Sequence, residues 1–422
     1  MSNTKLITAI DVGTTKVCVL IAELLDSNDY EIIGVGVSAS KGLKKGVVVN
    51  MNEAKTAIRE AVESAERSAG YEVDRAFVSL AGAHVEAVNS HGVVGISGDS
   101  IIIQDDIDRA LDAARAIVIP HNREVLHIIP RNFIVDGQEG IRMPLGMHGF
   151  RLEVEAHIIT AASTTVKNLA QCIEDAGVVV EQFVLNPLAS SEASLTDTER
   201  DLGVVSCDIG GGTTDVAIFI EGNVWHTAVL PVGGNNITAD VSHGLRLPAS
   251  AAEEVKIAHG HACTQEVDSS EVFLVRPFGH EQAIEVSRSE LANVVEARAE
   301  EIFDLLLKEV KRSGYDSLLP AGVVLTGGTS RLAGFRQLAT GSLGLPVRVS
   351  EPTNLRGLVD QVQGPEFATS VGLLNWAARE SSTYVGLSSL NGYSENGSFA
   401  TGNKSGQRMW GVIKDWASRL AP

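Results

Sequence analysis

Three apolar runs open the chain: LITAIDV, KVCVLIAEL and YEIIGVGVSAS, dense in Val, Ile and Leu and separated by Gly or Asn-Asp breaks. That pattern predicts a three-stranded meander. NEAKTAIREAVESAERSAG follows with apolar residues at helical spacing and a Gly stop, and AFVSLAG predicts a further strand. From about residue 83 to 162 the texture changes to short strands around one helix, DSIIIQDDIDRALDAARAIV, whose acids precede an Ala-Leu-Ile face and which Pro120 closes. This stretch predicts an inserted subdomain. TTVKNLAQCIEDAGVVVEQFVLNPLASSEASL then returns to a helix, a strand and a second helix entry.

The second half repeats the first. LGVVSCDIGGGTTDVAIFIEGNVWHTAVLPVGG reads as strand, Gly-rich turn, strand, turn, strand, the order already met over residues 5 to 37. PASAAEEVKIAHG predicts a helix, short strands follow, and SELANVVEARAEEIFDLLLKEVKRSG predicts a long amphipathic helix. GVVLTGGTSRLAGFRQLA has the strand, turn and helix form, PVRVS is a last strand, and FATSVGLLNWAAR a last helix. Residues 381 to 405 are rich in Ser, Gly, Asn and Thr with little to bury, which predicts a flexible linker.

Composition narrows the class. The 422 residues are 44% hydrophobic, enough for two or more domains, and the formal net charge of −19 argues against a nucleic-acid partner. Cys18, Cys172, Cys207 and Cys263 form no CxxC pair and read as reduced thiols. His259, His261 and Cys263 crowd one short segment but supply too few ligands for a closed zinc site. A charged residue and a glycine interrupt the N-terminus before a signal-peptide core could form, and no stretch reaches the length of a spanning helix, so the expectation is a chain neither secreted nor transmembrane.

The repeated turn carries the chemistry. Glycine lets backbone N–H groups approach phosphate oxygens, an Asp at a strand end can hold magnesium through water, and Thr hydroxyls and a Lys can contact phosphate. Each half supplies one such set: Asp11, Gly13, Thr14, Thr15 and Lys16, then Asp208, Gly210, Gly211, Gly212, Thr213 and Thr214. Two facing loops could clamp a triphosphate, with Asp11 and Asp208 toward Mg2+. Gly327, Gly328, Thr329 and Ser330 form a third turn able to receive a nucleotide's sugar and base. No Walker A motif is present.

These three motifs, in this order, resemble the actin, heat-shock chaperone and sugar-kinase superfamily. With VLNPLASSEA, EEVKIAHG, the inserted segment and the tail, the chain more narrowly resembles the FtsA family of actin-like bacterial cell-division proteins. The resemblance implies duplicated actin-like (ribonuclease H-like) α/β domains with an inserted α+β subdomain. It divides the chain into domain 1A (1–82 and 163–200), the insert 1C (83–162), domain 2A (201–239 and 301–365), subdomain 2B (240–300), a returning helix (366–380), the linker (381–405) and a C-terminal helix (406–422). It further implies ATP as cofactor, with Glu254 and Lys256 reaching ribose and base. The place where relatives carry a water-positioning Glu or Gln reads Leu185, Asn186, Pro187. Asn186 could orient water but is a poor base, so at most slow ATP turnover is expected.

In QRMWGVIKDWASRL, Met409, Trp410, Val412, Ile413, Trp416 and Leu420 fall on one side of a helix, with Arg408, Lys414 and Arg419 on the other. Apolar bulk, interfacial Trp and basic flanks predict a helix lying in a membrane interface beside anionic lipid. At about 1 to 2 kcal/mol for each large side chain, one tail is a weak anchor, whereas several on one polymer would bind tightly. The resemblance implies self-association, a peripheral place on the cytoplasmic face of the membrane at the division site, and tethering of the tubulin-like FtsZ. The FtsZ C-terminal peptide would meet 2B near Arg288, Arg298 and Glu301, and the insert would meet later division proteins. The rival readings are a soluble kinase of the same fold, a PilM-like pilus-assembly protein and an MreB-like filament, the last disfavoured by the position of the insert.

Overall fold

The computed structural model describes residues 5–25, 29–98, 100–116 and 119–388. The meander forms as expected: β1 (Leu6–Val12), β2 (Lys16–Leu24) and β3 (Tyr30–Ala39) pair antiparallel in sequence order. A short hairpin, β4 (Leu43–Lys44) with β5 (Val47–Val48), leads into α1 (Met51–Ala69). Asn50 caps α1 by accepting from the N–H groups of Asn52 and Glu53, and Gly70 ends it at φ +73°. The Ala-rich face of α1 lies so close to β3 that a Cβ on Gly36 would stand 2.0 Å from the Ala61 carbonyl oxygen. Glycine is there to let a helix backbone touch a sheet. β6 (Arg75–Leu80) then pairs parallel with β1.

The chain leaves this sheet for the insert: β7 (Glu86–Gly95), α2 (Gln104–Arg115), β8 (Arg123–Val135), β9 (Gln138–Ile141) and β10 (Arg151–Ala162), forming a sheet of order β7-β10-β8-β9 with its own core against α2. It returns through α3 (Ser163–Glu174) to β11 (Val179–Leu185), α4 (Asn186–Ser194) and α5 (Asp197–Leu202).

The second half contains β12 (Val204–Ile209), β13 (Thr214–Ile220), β14 (Asn223–Leu230), α6 (Gly234–Leu245), α7 (Ala249–His259), a hairpin of β15 (Val272–Val275) and β16 (Ile284–Ser287), α8 (Arg288–Ser313), β17 (Val323–Thr326), α9 (Phe335–Leu343) and β18 (Val347–Val349). The two large sheets run β3-β2-β1-β6-β11 and β14-β13-β12-β17-β18. In both, an antiparallel meander is followed outward by two parallel strands, so the duplication extends to topology.

The last helix, α10 (Ala368–Ser388), crosses back to pack on α4 and β1. A core shared by both halves results, with Ile7, Ala9, Leu188, Val204, Ala217, Val324, Val371 and Leu374 in one cluster. α10 runs eight residues past 380, so the stretch read as linker begins as helix. One further departure concerns the second half: α6 forms where GNNITADVSHGL mixes Gly and Asn into a weak apolar face, and Gly233 and the Asn236 side chain supply its start. α8 forms as the one long helix expected. The tail residues Met409, Trp410, Val412, Ile413, Trp416 and Leu420 lie outside the described residues.

The insert also rests on the second half, β7, β8 and β10 lying against β14. His157 of β10 bridges Asn89 Oδ1 (2.7 Å) and Thr227 Oγ1 (2.9 Å). Arg131 of β8 stacks 4.3 Å from the Trp225 ring centroid and donates to Tyr315 Oη at 3.2 Å.

Candidate functional site

The turns at the ends of β1 and β12 have the same geometry. Val12 pairs with Val17 and Ile209 with Thr214, so each turn holds four residues; Gly13 N–H donates to the Lys16 carbonyl and Gly210 N–H to the Thr213 carbonyl, both at 3.0 Å. This register corrects the match suggested by the paired threonines. Thr14 and Thr15 correspond to Gly211 and Gly212, Lys16 to Thr213, and Thr214 to Val17. Thr214 is accordingly buried, its hydroxyl donating to the Val232 carbonyl at 2.9 Å, and does not line the cleft.

The turns face each other closely. A Cβ on Gly211 would lie 2.3 Å from Thr15 Cγ2, and one on Gly212 would lie 2.6 Å from Thr14 Oγ1. Beneath them opens a cleft of about 710 Å³ lined from both halves by Asp11, Gly13, Thr14, Thr15, Lys16, Asp208, Gly210, Gly211, Gly212 and Thr213.

Its floor is acidic and buried. Asp11 accepts from Ser79 Oγ (2.9 Å) and Ser370 Oγ (3.0 Å), and Asp208 accepts from Thr369 Oγ1 (2.7 Å). Burial pushes the Asp208 carboxyl up to about 6, and neighbouring Asp11 adds to the shift while the Thr369 hydrogen bond opposes it. Asp215, paired across the hairpin from Asp208, also lines the cleft; burial first and Asp208 second hold it well above the usual carboxylate range. Above the floor, the Lys16 Nζ is buried without a hydrogen-bond partner, 3.7 Å over the Phe367 ring centroid. A buried ammonium lacking an acceptor suits an anion, here phosphate oxygen. Among the described residues no group of three or more His, Cys, Asp or Glu is placed to hold a metal ion. Asp11 and Asp208 therefore fit a magnesium ion only with waters and ligand oxygens completing its shell.

The third turn leaves β17 at Gly327, where φ is +84° and any Cβ would stand 2.3 Å from Asp208 Oδ1. Gly328 and Thr329 line the cleft, and Thr329 Oγ1 donates to the Gly210 carbonyl at 2.9 Å. Ser330 does not: it is buried and its hydroxyl turns back to the Gly327 carbonyl at 2.7 Å. On α7 the helix phase puts Glu253, not Glu254, on the cleft side; Glu254 is exposed. Lys256 lines the cleft, with Nζ donating to Glu253 at 2.7 Å and Thr238 at 3.0 Å. Asn186, at the start of α4, lines it with an unpartnered Oδ1.

The three residues assigned to a partner separate. Arg288 lines the cleft and donates to the His259 carbonyl at 3.0 Å. Arg298 and Glu301 pair with each other further along α8, Arg298 also binding Asp240 of α6. The sequence reading missed Ser79, Asp215, Asn235, Glu253, Arg331, Glu366, Thr369 and Ser370. Only Asp215 carried a signal, standing two residues after the glycine turn as the second residue of β13. Thr369 and Ser370 arrive from the far end of the chain.

Residues 205–372 match the family described as cell division protein FtsA, and residues 82–160 match the SHS2 domain inserted in it. The chain is 42% identical to the cell division protein FtsA of Pseudomonas aeruginosa over 91% of its length and 92% of that protein's. It belongs to the FtsA family. The FtsA of Bacillus subtilis is 39% identical over 90% of this chain and 85% of its own, and that of Escherichia coli 35% over 88% and 90%. Membership makes this an actin-like cell-division protein, and the SHS2 match coincides with the insert between β6 and α3. Among solved structures, the PilM-PilN type IV pilus biogenesis complex is similar at TM-score 0.63 and 17% identity, covering 88% of this chain and 98% of that one. MreB5 of Spiroplasma citri bound to ADP is similar at TM-score 0.52 and 14%, covering 91% and 99%. Both likenesses show the actin-like fold alone, whereas the FtsA matches extend to sequence, so the kinase, PilM-like and MreB-like readings are not favoured.

Proposed function

We propose that this FtsA-family protein binds ATP with Mg2+ in the cleft, self-associates in that state, and tethers FtsZ to the cytoplasmic face of the membrane at the division site. The observation that carries the nucleotide reading is the Lys16 ammonium, buried without an acceptor between two facing glycine turns. Lys16, Thr14, Thr15, Thr213 and the turn N–H groups would hold phosphates, and Asp11 and Asp208 would hold Mg2+ through water. Lys256, Glu253 and the 327–329 turn would receive the nucleoside. ATP supplies a phosphoanhydride that the chain can hold intact or split slowly.

The tail pattern supports the membrane half of the reading. A polymer of weak anchors binds a surface far better than one anchor does, so ATP-dependent assembly and membrane residence should rise together. Arg298 and Glu301 with neighbouring α6 remain the proposed seat of the FtsZ peptide; Arg288, in the cleft, suits that role less well. The insert would serve self-association and contacts with later division proteins.

Co-sedimentation with anionic liposomes tests the proposal, comparing the whole chain with a truncation after Ser388 that leaves α10 intact, each with and without ATP. The expected result is pelleting of the whole chain alone, increased by ATP. Equal pelleting of both chains, or of neither, would overturn it.

A further inference from the structure

Among the described residues, four buried side-chain atoms of the cleft lining have no hydrogen-bond partner: the acceptors Asn186 Oδ1, Asp215 Oδ1 and Glu366 Oε2, and one donor, Lys16 Nζ. The donor is the one whose place calls for an explanation, because a buried ammonium near carboxylates ordinarily pairs with one of them. The Lys16 charge reaches Asp208, where it opposes the upward push of burial on that carboxyl. Its Nζ nonetheless makes no hydrogen bond to Asp208 or to Asp11. One short segment accounts for both facts. The turn Pro365–Phe367 leads into α10, and the Phe367 ring has Lys16 Nζ over it, 3.7 Å from its centroid. Within the next three residues Thr369 Oγ1 donates to Asp208 at 2.7 Å and Ser370 Oγ to Asp11 at 3.0 Å. The carboxylates thus receive neutral donors and the ammonium a π face. Phe367 is itself fixed, its N–H donating to the Gly364 carbonyl at 3.0 Å and its side chain packing on the core shared by both halves.

We propose that Phe367 is a positioning residue for nucleotide binding: its ring holds the Lys16 ammonium off Asp11 and Asp208 and keeps it for the phosphates of ATP. This rests on the nucleotide reading and deepens it, since the phosphate contact becomes the work of a pair, Lys16 from the first turn and Phe367 from the far end of the chain. A ring face attracts a cation but offers no oxygen to bind its hydrogens, so they stay available to phosphate. Without the ring the ammonium would turn to the carboxylates, and that ion pair would have to break before phosphate could bind. It would also take negative charge from the floor proposed for Mg2+.

The test is a double-mutant cycle on the whole protein: wild type, Phe367→Met, Lys16→Met and the double variant, with Phe367→Tyr as the conservative control. Titration with fluorescent ATP gives the affinity of each, and competition by adenosine gives the affinity for the nucleoside without its phosphates. Phe367→Met should lower ATP affinity about tenfold and leave that for adenosine within about twofold of wild type. Phe367→Tyr, which keeps the ring face, should bind ATP within about twofold of wild type. In the Lys16→Met background, Phe367→Met should lower ATP affinity by less than about twofold, because the ring acts through the ammonium. Wild-type ATP affinity in Phe367→Met would overturn the proposal, as would Lys16→Met that binds ATP as tightly as wild type. Equal losses in the two backgrounds, or a matching loss for adenosine, would overturn it too and make Phe367 a packing residue of α10. Should Phe367→Met fail to fold, Phe367→Leu decides by the same criteria. A wild type that fails to bind the fluorescent ATP would instead overturn the nucleotide reading itself.

Discussion

Ser370 Oγ donates to Asp11 Oδ2 at 3.0 Å across 359 positions of sequence. The preceding residue, Thr369, makes the matching bond to Asp208 at 2.7 Å. The start of α10 therefore holds one carboxylate from each half, and the same helix runs on to Ser388, at the root of the tail. One helix thus contacts the strand ends that lead into both glycine turns.

Removing these braces should weaken both fold and cleft. Ser370→Ala leaves a buried carboxylate oxygen short of a donor, a loss of about 1 to 3 kcal/mol, and Thr369→Val does the same for Asp208. Nucleotide affinity should fall in both, since the floor loses its fixed geometry. Urea unfolding and fluorescent-ATP titration measure the two effects; unchanged values in both variants would show the bonds to be incidental.

Lys16→Met should separate stability from binding. The buried Lys16 ammonium has no hydrogen-bond acceptor, so replacing it with an apolar chain of similar length should leave the nucleotide-free protein as stable or more so. ATP affinity should fall at least about tenfold, because a charge-assisted contact to phosphate is lost. A melt compared with a binding titration checks this, and a parallel loss of both would argue for a structural lysine.

The strands and most helices were legible because their apolar periods are unambiguous, and the duplication was legible because both turns carry Asp-X-Gly. What failed is instructive. The paired threonines invited a match that the strand register refuses, since hairpin pairing counts residues between strands and not letters in common. Glu254 for Glu253 is an error of one residue, about 100° of helix phase, which charge alone does not resolve. Ser330 shares a Gly-Gly-Thr-Ser string with true cleft residues but is spent on the turn's own hydrogen bond. Thr369 and Ser370 became site residues only when α10 folded back.

Gly372→Ala should be severely destabilising although glycine in a helix usually costs stability. A Cβ on Gly372 would lie 1.7 Å from the Ala189 carbonyl oxygen, where α10 crosses α4. That is backbone and cannot swing aside, so the loss should reach or exceed the usual overpacking range of about 1 to 3 kcal/mol. Gly341, in α9, has nothing within 4 Å of its Cβ position. Gly341→Ala should be neutral or stabilising by up to about 1 kcal/mol. Thermal unfolding of the pair is the comparison, and equal effects would contradict the packing argument.

The seat of the insert on the second half should be acid-sensitive through His157. Its neighbours define the neutral ring: Asn89 Oδ1 takes the Nδ1 proton and Nε2 accepts from the Thr227 hydroxyl. Burial, with His226 and Arg131 nearby, lowers its pKa from 6.5 to about 3. Between those values the unfolded chain carries a proton that the folded chain does not. Stability therefore falls as pH falls through that window, by up to about 1.4 kcal/mol per pH unit for this group. His127, buried and lowered to about 4, adds a slope of the same sign. Glu199 and Glu309, both lowered to about 2, lose their contributions only as pH drops below their ordinary 4.5. Asp208, raised to about 6, and Asp215, also raised, take up protons in the folded chain over part of the same range and give a slope of opposite sign. The comparison of wild type with His157→Asn between about pH 7 and about pH 5 therefore isolates this ring. His157→Asn should flatten the slope without abolishing it, and a slope identical to wild type would mean that the insert is held by something other than this ring.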